Sequence, residues 1–501
     1  MEFGLLSLIP AAVTIAVALS TKRVALALFS GIVGGAFVYT QGNIGEGFLA
    51  IWEYLIISFT DPERLKIVLF IMLIGGLLEI IAASGAYNEF AASLSKKLNT
   101  PRKSRLATWG LSMCMFFDDY ANVLISGASM RAVNARNGVS PAKLAYMVDV
   151  VAIMASIMII STWASYEGSV MVDAAETIGL EGTLTTFFIA SLPYHMYTYL
   201  AIFLVLVVAY TGKWFGYSVD KENHLADMEG EERNPKARLI HVLAPIITLV
   251  GFAIVALFVS GTFILLQQGK PITLIEILGS APSVEILILS TMLSTAVAIF
   301  LLRRDKAIDA RIVPKKFAVG LKGMIGVSLV IIFATGLSEV STDLGTGAYV
   351  ADVFADFITP QLLPALIFVL SMVITVATGF SWSSMAIVMP IAFQMAMVNQ
   401  VPEFIPVISA AVISGAVSGE HMIPYSEKAV MTSAACKITP IYHIKTHILQ
   451  ALLVFGAATG GYLLIGYGWH SGVAYGVAIG VILLFHFVFA RENSVKFYLK
   501  T

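Results

Sequence analysis

Met113-Cys114-Met115-Phe116-Phe117-Asp118-Asp119-Tyr120-Ala121-Asn122-Val123-Leu124 sets two adjacent carboxylates and an amide inside an otherwise apolar run. In a bilayer each charged group costs several kcal/mol, about 2.5–3.5 on insertion scales. Such groups persist there where they line a cavity, pair with a cation or carry protons. Neighbours on an unbroken helix point about 100° apart, so Asp118 and Asp119 cannot both face one small ion. A break in the helix frees carbonyls and lets side chains converge. The stretch therefore reads as a polar helix break, with Asp118, Asp119 and Asn122 as half of a cation site and Asp118 and Asp119 as its sodium ligands. The competing reading is that one Asp caps the following half-helix and the other pairs with a cytoplasmic arginine.

The rest of the chain fits a membrane setting. Of 501 residues, 58% are hydrophobic and 13% charged, against about 25% charged in a soluble domain. Nearly uncharged runs of about 20 residues recur from end to end, the pattern of an all-α polytopic membrane protein. The alternating strands of an outer-membrane barrel are absent from the sequence pattern. The net charge of −1 gives no case for nucleic acid as a partner, and Cys114 and Cys436 fit no disulfide framework or zinc pattern. The first apolar run lacks a basic leader and reads as a retained helix.

About 11 spans are expected: 3–21, 24–40, 65–84, 143–164, 184–210, 239–266, 283–302, 323–341, 404–424, 447–467 and 469–490. Two further apolar regions, about 104–132 and 361–400, are interrupted, the second at Thr378-Gly379-Phe380-Ser381-Trp382-Ser383-Ser384, and it carries Pro364 and Pro390. Basic loops mark the cytoplasmic side. Lys22-Arg23, the cluster Lys96, Lys97, Arg102, Lys103 and Arg105, then Arg131, Arg136 and Lys143, the 213–238 and 303–322 loops, Lys428, Lys437, Lys445 and the C-terminal tail all qualify. Segments 167–182 and 343–360 hold no Lys or Arg and several acids, so they read as external. The N-terminus falls outside and the C-terminus in the cytoplasm. Region 104–132 enters and leaves on the cytoplasmic side and 361–400 on the other. These are two opposed hairpins, either re-entrant or of two full spans.

The two halves also resemble each other. Gly76-Leu77-Leu78-Glu79 returns as Gly336-Leu337-Ser338-Glu339, Gly85-Ala86-Tyr87 as Gly347-Ala348-Tyr349, and the tips Phe117 and Phe380 lie 263 apart. Matched spans run in opposite directions, which is an inverted-topology repeat with broken helices, and substrate sites in such folds lie near the midplane. The expected organisation is an N-terminal helix (1–23), repeat 1 (24–212), a cytoplasmic linker (213–238), a connecting helix (239–282), repeat 2 (283–467) and a C-terminal helix and tail (468–501).

Further polar groups interrupt apolar runs. Ser161 and Thr162 mark a second break or bond back to a carbonyl one turn earlier. Asp149 either serves the site or pairs with Lys143 or Arg131. Ser381 and Ser384 supply hydroxyls at the second tip or permit a tight turn. Gly419-Glu420-His421-Met422-Ile423-Pro424-Tyr425-Ser426-Glu427-Lys428 is the symmetry mate of the 156–165 break, and Pro424 removes a backbone donor there. Glu420 and His421 are candidates for proton relay, Ser426 and Glu427 for cation binding, and Lys428 for coupling or for holding a substrate charge. Glu427 alternatively pairs with Lys428. Glu79 and Glu339 read as interfacial anchors.

These residues resemble the NhaC-type sodium/proton antiporters of the larger ion-transporter superfamily. The likeness lies in Phe116-Phe117-Asp118-Asp119-Tyr120-Ala121-Asn122, Lys143-Leu144-Ala145-Tyr146-Met147-Val148-Asp149, Ile160-Ser161-Thr162-Trp163, Ser381-Trp382 with Met389-Pro390, and Gly419-Glu420-His421 with Pro424 and Ser426. It covers about 60 to 500. It implies monovalent cation/proton exchange, with an organic acid in some members, scaffold and transport domains, and a homodimer moving elevator-fashion. The family cluster usually reads Gly-Asp-His, Ser-Pro and Ser-Asp-Thr. Here Glu420, Ile423, Glu427 and Lys428 depart from it, which opens the question of stoichiometry and of a purely inorganic substrate.

The expected function is a secondary active transporter, not an enzyme. It exchanges Na+ for H+ at a midplane carboxylate site by alternating access, in the cytoplasmic membrane, with the bilayer as its setting and no cofactor beyond the transported ions. The alternative is a sodium- or proton-coupled carrier of a small organic acid or amino acid, its carboxylate held by Lys428.

Overall fold

The computed structural model describes residues 3–21, 23–86, 89, 98–116, 119–216, 234–269, 272, 277, 280–346, 349, 359–378, 380–424 and 426–492. Asp118, Phe117, Gly379, Tyr425 and most of the 213–238 linker lie outside them. So do the side chains of Thr162, Ser383 and Glu427.

Twenty described α-helices follow one another: α1 (Ile9–Thr21), α2 (Val24–Tyr39), α3 (Ile44–Thr60), α4 (Pro62–Ala83), α5 (Pro101–Cys114), α6 (Asp119–Arg136), α7 (Pro141–Ala152), α8 (Thr162–Glu176), α9 (Leu184–Ser191) and α10 (Met196–Thr211). The second half holds α11 (Ile240–Gln268), α12 (Ser283–Arg304), α13 (Val313–Gly323), α14 (Ile325–Asp343), α15 (Leu363–Thr378), α16 (Ser381–Val398), α17 (Ile405–Glu420), α18 (Glu427–Cys436), α19 (Pro440–Gly466) and α20 (Ser471–Phe489). An antiparallel two-residue pair, β1 (Lys213–Trp214) with β2 (Arg491–Glu492), ties the end of α10 to the end of α20.

Among the described residues six helices are long and apolar enough to cross a membrane, and α9 with α10 add a seventh as a span bent by 54°. The outward faces of α11 and α20 are apolar, with Ile247, Val255, Val259, Leu484 and Val488 exposed. Water would penalise such faces, whereas lipid accommodates them. This is a multi-pass membrane protein.

The internal repeat is visible in the element order. Shifted by 263 positions, α2, α3 and α4 fall on α12, α13 and α14; α5 and α6 fall on α15 and α16; α7 and α8 fall on α17 and α18. Helices α1–α4 and α11–α14 pack together, and α5–α10 pack with α15–α20. The two bundles meet where α4 and α14 lie against α8, where α14 lies against α16, and where α1 lies against α15.

Both hairpins are shorter than two full spans. Helix α5 has 14 residues, about 21 Å, and α15 has 16, about 24 Å. The hydrocarbon core needs about 30 Å. Re-entrant hairpins are thus the reading that fits: α5 ends at Cys114 and α6 opens at Asp119, while α15 ends at Thr378 and α16 opens at Ser381. Caps fix the ends. Thr100 accepts from the N–H of Lys103 before Pro101, and Ser140 from that of Lys143 before Pro141, a capping side chain followed by a proline whose missing N–H costs nothing there.

Several expectations need correction. The span 143–164 is not continuous: α7 stops at Ala152, a 3-10 turn (Ile153–Ile157) follows, and the helix restarts at Thr162. Segment 167–182 is not an external loop throughout, because α8 runs to Glu176 and Glu167 is wholly buried. Helices α3, α13 and α18 were not anticipated. The span near 447–467 starts at Pro440, which places His443 and His447 inside it. Glu79 pairs with Lys316 at 3.1 Å.

Close packing locates the second hairpin. Gly415 and Gly419 let α17 lie directly on α15: a β-carbon at Gly415 would fall 2.2 Å from the Phe368 carbonyl oxygen, and one at Gly419 would fall 2.6 Å from Thr375 Cβ. Small residues at such contacts are what allow backbones to approach in a membrane. The approach carries the end of α17, with Glu420, up to the break between α15 and α16.

Candidate functional site

The two helix breaks are built alike. Ser161 caps α8: its Oγ donates to the Ala155 carbonyl six residues back (2.7 Å) and accepts from the Ala164 N–H (2.9 Å). Ser426 caps α18 in the same way, donating to the Glu420 carbonyl (3.3 Å) and accepting from the Ala429 N–H (3.2 Å). Each hydroxyl holds the broken backbone. One backbone acceptor before each break and one donor after it are therefore satisfied.

At the second break the sequence candidates converge. The Ser381 N–H, first in α16, donates to Glu420 Oε1 at 2.8 Å, an anion at a helix N-terminus. Lys428 Nζ stands 3.4 Å from Glu420 Oε2, and both side chains are nearly sealed from solvent. That is an ion-pair distance without hydrogen-bond alignment, so Oε2 has no hydrogen-bond donor among the described residues. Two hydroxyls nearby are also buried without a partner among the described residues: Ser381 Oγ and Thr375 Oγ1, the latter on the α15 turn that abuts Gly419. Ser384, by contrast, bonds Ser371 and holds the hairpin legs together.

The network continues inward. Lys428 Nζ lies 3.3 Å from His421 Nε2, and His421 Nδ1 lies 2.9 Å from the Tyr197 hydroxyl. An ammonium only donates, so Nε2 must accept. His421 is then a neutral ring with its proton on Nδ1, an assignment made from the network. The His421 carbonyl faces His447 Nε2 at 3.1 Å, while His447 Nδ1 faces the His443 carbonyl at 2.8 Å. Carbonyls only accept, so a neutral His447 makes one of these bonds and only an imidazolium makes both. His443 Nε2 lies 3.1 Å from Asp149 Oδ2, and Thr432 donates to Asp149 Oδ1 at 3.2 Å. Asp149 thus engages His443 and Thr432, where Lys143 or Arg131 had been considered. Arg131 donates to the Ala435 carbonyl and Lys143 to the Gly212 carbonyl.

Asp149, His443 and His447 bring ligand atoms within 4.8 Å of one another, close enough for a metal ion. Most of these ligand atoms are already engaged, although His443 Nδ1 has no partner among the described residues. Both His447 nitrogens face carbonyls, and Asp149 is engaged by His443 and Thr432.

The first hairpin contributes Asp119, buried as the first residue of α6, and Asn122. The Asn122 amide donates to the Ser112 carbonyl (2.7 Å) and accepts from Ser126 (3.2 Å), joining the two legs. Helix α6 lies against α18, whose N-terminal turn holds Lys428. Asp118 falls outside the described residues, so the carboxylate pair is not on view as a pair.

Sequence reasoning missed His443, His447, Tyr197, Thr432 and Thr375. One signal was available: His443 and His447 sit four apart on a helix that opens with Pro440, so they share a face inside the bilayer, where ionisable groups are rare. Tyr197 and Thr375 gave none, being ordinary residues in apolar helices.

A match to the Na+/H+ antiporter family covers residues 154–469. A protein of Haemophilus influenzae (strain ATCC 51907 / DSM 11121 / KW20 / Rd), described as uncharacterized, is 29% identical over 497 residues, 97% of this chain and 95% of its own length. The crystal structure of the Alcanivorax borkumensis YdaH transporter, described as having an unusual topology, superposes with a TM-score of 0.60 at 18% identity, covering 86% of this chain and 91% of that one. At that identity the likeness concerns the fold.

Proposed function

The chain belongs to the Na+/H+ antiporter family, and from that premise we propose that it exchanges a monovalent cation, sodium first, for protons across the cytoplasmic membrane by alternating access. The observation that carries this reading is a trio of buried oxygens at the second break with no hydrogen-bond partner among the described residues: Glu420 Oε2, Ser381 Oγ and Thr375 Oγ1. Hard cations take oxygen ligands. A carboxylate with two hydroxyls beside freed backbone is a donor set for a small desolvated cation.

Lys428 occupies the cation's electrostatic place. Its ammonium neutralises Glu420 across 3.4 Å. An entering ion displaces it and adds a charge to a cluster sealed from water, where uncompensated charge is costly. Release of a proton restores the balance. His421, in contact with both Lys428 and Tyr197, is the adjacent group that takes and passes on a proton. Cation and proton then exclude each other, which couples the fluxes. Asp119, Asn122 and Asp149 belong to the same proposal on the first-hairpin side, with Asp118 as Asp119's neighbour. The distribution of basic loops supports an external N-terminus and a cytoplasmic C-terminus.

A carrier of a small organic acid has less support, because Lys428 already faces a carboxylate. Dye-quench exchange in inverted vesicles tests the reading. Glu420→Gln and Asp119→Asn are expected to lower Na+-driven proton movement at least tenfold with the protein still inserted. Full exchange in both variants would remove the site. Sodium flux strictly dependent on one organic acid from a panel would replace the reading with the carrier.

A further inference from the structure

We infer that Glu167 is a second proton-binding carboxylate of the exchange cycle, separate from Glu420 and its network. The inference rests on the antiport reading above. Glu167 lies on α8, has no solvent exposure, and neither carboxyl oxygen has a hydrogen-bond partner among the described residues. One turn earlier on the same face, the Trp163 indole N–H is also buried without a partner among the described residues. A carboxylate left this way in an apolar setting is unfavourable as an anion. The group therefore rests as the neutral acid, and its carboxyl proton is one it can surrender when its surroundings open.

The repeat gives an independent reason to see this position as facing the interior path. Ser161 and Ser426, the two break caps, lie 265 positions apart, and Glu167 and Thr432 each follow their cap by six residues. In the second half that position points Thr432 at the buried Asp149. In the first half the equivalent position is itself a carboxylate. The helix is also placed to sense movement. Tyr166, next to Glu167, stacks on Trp382 with ring centroids 4.2 Å apart and donates to the Trp382 carbonyl, at the tip of the second hairpin. Helix α8 lies against α4 and α14 of the other bundle, so a shift between bundles changes its surroundings.

Among the described residues no charged side chain is bonded to the group. Helices α9 and α16 and the 153–157 turn, all packed on α8, contain no Asp, Glu, Lys, Arg or His. Helix α4 carries Glu63, Arg64, Lys66 and Glu79, and α14 carries Glu339 and Asp343. Of these, Lys66 pairs with Glu285, Glu79 with Lys316, and Asp343 accepts from Tyr54.

The test uses purified full-length protein in liposomes, with 22Na+ as the probe. Wild type is expected to show both 22Na+/Na+ exchange at equal pH and pH-gradient-driven 22Na+ flux. Glu167→Gln keeps the shape of the neutral acid. It is expected to retain 22Na+/Na+ exchange within twofold while pH-driven flux falls at least tenfold. Glu167→Asp is expected to keep pH-driven flux with its pH profile displaced. PH-driven flux in Glu167→Gln equal to wild type, or a Glu167→Asp profile that overlays wild type, overturns the inference. Wild type without pH-driven 22Na+ flux would instead overturn the antiport reading on which it rests. Labelling of wild-type protein by an apolar carbodiimide, located by mass spectrometry, reads the protonated acid directly. Modification of Glu167 that declines as pH rises supports the inference, and no modification at any pH contradicts it.

Discussion

Lys428 and Glu420 form a buried pair whose members are not equally replaceable. Losing one partner leaves a charge without compensation, typically a cost of about 3–5 kcal/mol, whereas replacing both with neutral groups of similar size is often tolerated. Lys428→Met is therefore expected to lower the thermal stability of the detergent-purified protein markedly. The double variant Glu420→Gln/Lys428→Met should recover most of that loss and yet remain transport-inactive. Scanning fluorimetry together with flux separates the two effects. A double variant as unstable as Lys428→Met would show that the pair is not what burial makes costly. At this scale the charged half of the site was legible in the chain: Glu420, His421, Ser426 and Lys428 interrupt apolar sequence, where lipid makes each of them conspicuous. The neutral half was not. Tyr197 matters because its hydroxyl meets His421 from 224 residues away, and Thr375 because Gly419 lets two helices touch. Neither fact leaves a mark on local sequence.

At the scale of elements, close approach and capping carry the architecture. Gly415→Ala would press a β-carbon against the Phe368 carbonyl, a backbone atom that cannot swing aside. Gly456→Ala on α19 meets nothing within 4 Å. The first is expected to lose folded yield and the second to match wild type or better it by a few tenths of a kcal/mol to about 1, as measured by size-exclusion recovery after heating. Removing a break cap, in Ser161→Ala or Ser426→Ala, should cost about 1 kcal/mol, because each hydroxyl satisfies a backbone donor and acceptor across a turn. The loop after α12 behaves differently. Its Asp305 carboxyl is held down to about 2, chiefly by the Arg304 guanidinium, with His241 also bonded to it. A depressed carboxyl contributes stability above its unfolded value near 4, lost only as pH falls towards 2. Asp305→Asn should therefore leave the pH profile of exchange between 6 and 9 unmoved. Hairpins, breaks and most spans were readable because proline, glycine and polar residues punctuate apolar runs. Helix α8 escaped because its acids and missing basic residues looked like an external loop.

Over the whole molecule, the repeat brings two differently equipped breaks to one membrane-spanning body. The break at Ser426 carries a carboxylate, an ammonium and a histidine. The break at Ser161 carries Ala155 where the other has Glu420, and places its acid six residues past the cap, at Glu167. Two folded halves with unequal charge suit a cycle in which cation and proton are handled at separate places along one path. The sequence disclosed the order of the repeat but not this division of labour, which depends on which groups the packing leaves without partners. The most direct measurement is pH-gradient-driven 22Na+ uptake into proteoliposomes by wild type and by Glu420→Gln, with insertion matched. The prediction is saturable uptake by wild type that rises with the pH gradient and falls at least tenfold in Glu420→Gln; uptake by Glu420→Gln equal to wild type would contradict it.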